Sequence, residues 1–161
     1  MTIKPYYCIG IDPGANGAIC ILPRQYKDIQ IFAFKNYSLR SLSLILDEYL
    51  KQSIDIFVEK SGLHPRNGKQ SYYASGRNLG QIEGLLAKFD YTLVSPVKWM
   101  NALDCRTKGD KNITKVLAES FFGRYIKITH TNADAALIAH YGFTLYGHEV
   151  RCRPKRRPLR K

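Results

Sequence analysis

Cysteine is too sparse and too scattered here to staple a fold. Cys8, Cys20, Cys105 and Cys152 form no C-x-x-C pair and have no histidine at zinc-finger spacing, so neither a disulfide framework nor a structural zinc site is indicated. No apolar run approaches the roughly 18 to 20 residues that a membrane span requires. No leader of the charged, apolar and small-residue kind precedes the first apolar segment, and there is no internal repeat. These absences lead us to expect a soluble, reduced, cytoplasmic chain without a membrane partner. Acidic residues are also few, 13 against 25 Lys and Arg, for a net charge of +12. That balance favours a polyanionic partner such as nucleic acid over an acidic protein or a bare membrane surface.

What is present fits one domain, because 161 residues suffice for a substantial core. The charge is uneven: "RCRPKRRPLRK", from Arg151, holds seven basic residues and no acid, more than half of the net charge. We therefore divide the chain into a folded domain, 1–148, and a basic tail, 149–161. The tail is expected to add salt-dependent affinity by counterion release.

Apolar and β-branched residues mark strands over Tyr6 to Ile11 and Ala18 to Leu22, with Pro13, Gly14 and Gly17 as the turn between them. "IQIFAF", from Ile29, alternates and completes an antiparallel meander. Leucines 39, 42, 46 and 50 follow helical spacing behind Ser38, a suitable N-cap. "IDIFVE" is then a fourth strand, and a helix between two strands implies a crossover that lays it parallel to the first. A Gly- and Asn-rich loop precedes a long helix expected over Ser71 to Phe89. "YTLVS", a helix at "VKWMNAL", a basic loop, and helices over Ile113 to Phe122 and Ala133 to Tyr146 complete the chain. The class is α/β, a mixed five-stranded sheet flanked by helices.

Two of these strands end in carboxylates, Asp12 and Glu59, and neighbouring parallel strands bring their C-terminal ends side by side. Asp134 opens the last helix, where the macrodipole favours an anion. Three converging carboxylates repel unless a cation lies between them, and hard oxygen ligands suit Mg²⁺, with Mn²⁺ as a substitute. Each has a plainer alternative: Asp-Pro-Gly is ordinary turn chemistry, Glu59 a polar strand end, Asp134 a favourable helix start.

Taken in order, "IGIDPGANGAICIL", "IFVEKSGLHPRNGKQSYYASGRNLGQIEGLL", "LVSPVKWMNAL", "DKNITKVLAESFF" and "HTNADAALIAHYG" resemble the RuvC-type Holliday junction resolvases, notably the short versions of bacteriophages. The resemblance spans about Tyr6 to Tyr146. It implies an RNase H-like fold, a homodimer in bacterial or phage-infected cytoplasm, and metal-dependent hydrolysis of branched DNA to 5′-phosphate and 3′-hydroxyl ends. It further implies Asp12, Glu59 and Asp134 as metal ligands, and Lys111 as the lysine that assists at the scissile phosphate. The family's fourth metal-site position falls on His130 or Thr131, a departure from its usual Asp that makes His130 the candidate ligand.

Arg66, Lys69, Gln70, Ser71 and Arg77 follow Glu59 closely and are placed to hold phosphates, as are Lys108, Lys111 and Lys115 near a later helix start. Leu63 and His64, or Tyr72 and Tyr73, are candidates to wedge against bases. Gly76, Gly80 and Gly84 recur every four residues in the long helix at a cost of about 0.8 to 1 kcal/mol each. A close approach is expected there, to the sheet, to a second copy or to DNA. The alternatives are an RNase H-like nuclease acting on flaps or RNA–DNA hybrids and a basic branched-DNA-binding protein that does not cut. An actin-like ATPase is excluded by size. No small-molecule cofactor is implied.

Overall fold

The computed structural model describes residues 5–60 and 68–147. The expectations for Leu63, His64, Arg66 and the basic tail lie outside them. Among the described residues five strands form one sheet: β1 (Tyr7–Asp12), β2 (Ala18–Pro23), β3 (Gln30–Ala33), β4 (Ile54–Glu59) and β5 (Thr92–Val94). Their order is β3-β2-β1-β4-β5, with β1–β2 and β2–β3 antiparallel and β1–β4 and β4–β5 parallel. The helices are α1 (Leu39–Asp47), α2 (Lys69–Leu85), α3 (Pro96–Ala102), α4 (Asn112–Phe122) and α5 (Ala133–Thr144). This is the expected mixed sheet flanked by helices.

Several boundaries move. Phe34 leaves β3 for a single 3-10 turn, Phe34–Asn36. The long helix starts earlier and ends sooner than its apolar pattern suggests, because Gly68 serves as the N-cap and the chain turns at Leu86. The last helix stops at Thr144 rather than Tyr146. Ser38 does cap α1, accepting from the Ser41 N–H at 3.1 Å.

Side-chain alternation sorts the strands into two cores. Ile9, Ile11, Ile19, Ile21, Ile56 and Val58 pack beneath α1 and α2 with Leu42, Leu46, Ile82 and Leu86. Cys8, Ala18, Cys20, Leu22 and Phe57 point to the opposite face, under α3, α4 and α5. That second face is lined by smaller residues, so a helix can come close to it. A Cβ on Gly10 would collide with the backbone of Ala135 and Ala139, and one on Gly142 with the Phe57 ring. Glycine at these two positions lets α5 lie directly on β1 and β4, and ten of its twelve residues are buried as a result.

The glycine stripe of α2 behaves otherwise. A Cβ on Gly76, Gly80 or Gly84 would meet nothing within 4 Å. Of the approaches expected there, the one to the sheet is excluded: these glycines face outward, and their helix-propensity cost has no return among the described residues.

Candidate active site

The alternation that sorts the cores also aims the carboxylates. Asp12 continues the set of Cys8 and Gly10, and Glu59 that of Phe57, so both project toward the face on which α5 lies. The β1–β4 register pairs Ile11 with Val58, which brings Asp12 level with Glu59 at the C-terminal ends of two parallel strands. Asp134 enters from above, in the first turn of α5 and next to Ala135, whose carbonyl sits over Gly10. Three carboxylates far apart in sequence thus share one end of one sheet face.

The three carboxyls influence one another electrostatically. Burial pushes the Glu59 carboxyl up to about 7, reinforced by Asp12 and Asp134 and opposed by the Trp99 hydrogen bond and Lys111. Asp12 is raised by burial and by Asp134, against the Gly14 N–H and Lys111. Asp134 is raised by burial, against a hydrogen bond from Thr114 and the charges of Lys111 and His130. Lys111, exposed at the N-cap of α4, is common to all three.

Each carboxylate is held by a neighbour. The Gly14 N–H donates to Asp12 Oδ1 at 3.0 Å, so the turn and the site are one device rather than alternatives. Glu59 Oε2 accepts from the Trp99 indole at 2.7 Å. The buried Thr114 hydroxyl lies between Asp134 and the Lys111 carbonyl, 3.3 Å from the latter, and has one proton to give. Asp134 Oδ1 is buried without a hydrogen-bond partner, an arrangement costly for a carboxylate that faces nothing. Among the described residues, however, no three acidic, His or Cys side chains close around a single point.

The other anticipated residues divide. His130 is exposed and close enough to lower the Asp134 pKa, whereas Thr131 is half-buried. Lys69, Gln70 and Ser71 form the exposed first turn of α2, and Arg77 lies two turns along it. Lys108 sits in a tight turn with φ +46° ahead of Gly109, and Lys115 pairs with Glu119 at 3.4 Å. Tyr72 is half-buried and Tyr73 73% exposed. Trp99, Thr114 and Gly10 were not singled out from the sequence. A usable signal existed for Trp99: it follows the strand beside Glu59 by one helical turn.

Comparison with solved structures decides the fold. Thermus thermophilus RuvC in complex with a Holliday junction substrate superposes with a TM-score of 0.58 at 15% identity, over 88% of this chain and 94% of that one. The chain has a RuvC-type fold. A second T. thermophilus RuvC structure superposes with a TM-score of 0.52 at 16% identity, over 88% and 96% of the two chains. No protein-family model matches the sequence, and no curated protein matches it.

Proposed function

We propose that this chain is a divalent-metal-dependent endonuclease that resolves four-way or other branched DNA junctions as a homodimer. The observation that carries the reading is the meeting of Asp12, Glu59 and Asp134 on one sheet face of a RuvC-type fold, with an unpartnered buried oxygen on Asp134. A structural neighbour of this fold holds a Holliday junction, and the net charge of +12 suits the same kind of partner.

The donor set fits Mg²⁺ or Mn²⁺, since all three groups offer hard carboxylate oxygens that repel one another when bare. Asp12, Glu59 and Asp134 would hold the ions, with His130 as the fourth ligand. Bound divalent ions supply Lewis acidity and a hydroxide nucleophile near neutral pH. The Gly14 N–H holds Asp12 on the face that α5 covers, and Thr114 steadies Asp134. Lys111, exposed and near enough to lower the pKa of all three acids, would meet an oxygen of the scissile phosphate. The exposed start of α2, with Lys69, Gln70, Ser71 and Arg77, would take flanking phosphates together with Arg66, Lys108 and Lys115.

A four-way junction has twofold symmetry, so two symmetric cuts require two sites related by a matching axis. The open glycine face of α2 is the surface we assign to that dimer.

The test is cleavage of a labelled synthetic four-way junction with Mg²⁺ and with Mn²⁺, beside Asp12→Asn, flap and RNA–DNA hybrid controls. Paired symmetric nicks that vanish in the variant are expected. Tight junction binding without nicks in either metal would replace the reading by a non-cutting junction binder, and preferential cutting of flaps or hybrids by a related nuclease.

A further inference from the structure

Glu59 reaches the site with one of its two oxygens already engaged. The 2.7 Å bond from Trp99 Nε1 to Oε2 has the length of a hydrogen bond to an ionised carboxylate. Its donor is unusually well fixed. Trp99 is fully buried, and α3 is anchored at its start by Pro96 and by the Ser95 side chain, which accepts from the Lys98 N–H at 3.3 Å. The strand that feeds α3 is in register with β4 at Glu59 and Val94, and the Lys60 N–H donates to the Val94 carbonyl at 2.8 Å. Donor and acceptor are therefore built on adjoining strand ends. An indole N–H can only donate, so it can neither ligate a cation nor exchange roles with Glu59.

We propose that Trp99 is a positioning residue: by occupying Oε2 it turns Oε1 of Glu59 toward the site and makes Glu59 a one-oxygen ligand to a divalent cation. This rests on the metal-site reading above but does not involve DNA. Trp99 is also the protein's single tryptophan, so the bond reports on itself through one indole resonance.

The experiment is a calorimetric titration of the full chain with MgCl₂ and MnCl₂, for the wild type, Trp99→Phe and Leu86→Ala. Leu86 is equally buried but lies in the opposite core, and it controls for loss of stability alone. Removing an outer partner of a metal ligand typically weakens metal affinity about 10- to 100-fold. That loss is expected for Trp99→Phe, with none for Leu86→Ala. Affinity within twofold of wild type in Trp99→Phe, or an equal loss in Leu86→Ala, overturns the proposal, as does a wild type that binds neither metal.

Should Trp99→Phe not fold, the ¹⁵N-labelled wild type answers instead. Its one indole N–H signal is expected to shift saturably with Mg²⁺, and a signal unmoved at saturation overturns the proposal. Metal binding that depends on Trp99 in a protein that cuts no junction would sink the nuclease reading and leave this inference standing. Junction cleavage with the same metal requirement in both proteins would do the reverse.

Discussion

Glu59 supports a prediction about stability that needs neither metal nor DNA. Its carboxyl is raised from an ordinary 4.5 to about 7, chiefly by burial and then by Asp12. Between those values the folded protein holds a proton that the unfolded chain has released. The associated stability is therefore complete below pH 4.5, falls as pH rises and is gone above about 7. The displacement corresponds to about 3 kcal/mol, or roughly 6 to 12 °C in melting temperature for a chain of this size. Glu59→Gln cannot ionise, and its amide oxygen still accepts from Trp99. In EDTA, melting followed by circular dichroism should find the variant close to wild type at pH 4.5 and more stable by up to about 3 kcal/mol at pH 8. Asp12 and Asp134 titrate in both proteins but are coupled to Glu59, so the difference reports Glu59 together with the relief that its neutral replacement gives the other two acids. Adding Mg²⁺ at pH 8 should close most of the gap by stabilising the wild type. A variant less stable than wild type at pH 8 in EDTA would refute the reasoning, since Glu59 would then be a stabilising anion without any cation.

Gly10→Ala should cost about 1 to 3 kcal/mol in urea unfolding, because its methyl group meets the backbone of α5. It should also weaken Mg²⁺ binding by lifting Asp134, and wild-type stability would show that the contact is not tight. Gly80→Ala should stabilise the isolated fold by about 0.8 to 1 kcal/mol through helix propensity, since its Cβ meets nothing. If that face is a dimer seam, the same change lowers the dimer fraction in sedimentation, and an unchanged dimer would place the seam elsewhere. Lys111→Ala should reduce junction cleavage while leaving the circular dichroism unaltered, because Lys111 is exposed. Deleting residues 149–161 should flatten the dependence of junction affinity on salt concentration; an unchanged slope would rule the tail out of DNA contact.

The fold was legible where a residue's local preference and its tertiary role agree. The β-branched alternation of Ile9, Ile11, Ile19 and Ile21 marks strands because those side chains all enter one core. Ser38 reads as a cap because a cap is a local hydrogen bond. The helix crossover gave away the parallel pairing of β1 with β4, and with it the meeting of Asp12 and Glu59. Legibility failed where the deciding partner is remote. Glycines at 76, 80 and 84 look like a packing stripe, but what they face is settled by a surface beyond their own helix. Gly10 passed unnoticed because its reason is Ala135 and Ala139, some 125 residues later. Trp99 looked like one more apolar helix residue because its N–H is matched to Glu59 only after β5 has docked on β4.

The burial of α5 has a consequence for how the protein comes into being. The first strand of the domain lies against α5, so the sheet face that α5 shares with α3 and α4 is not fully covered until residue 144 has been made. A nascent chain holds Asp12 and Glu59 long before it holds the element that brings Asp134 to them. Domains fold as units during synthesis, and the long-range pairing of β1 with α5 makes this unit a late one. The charged centre thus comes together in the same event that seals the core, and no partly made chain carries a complete one.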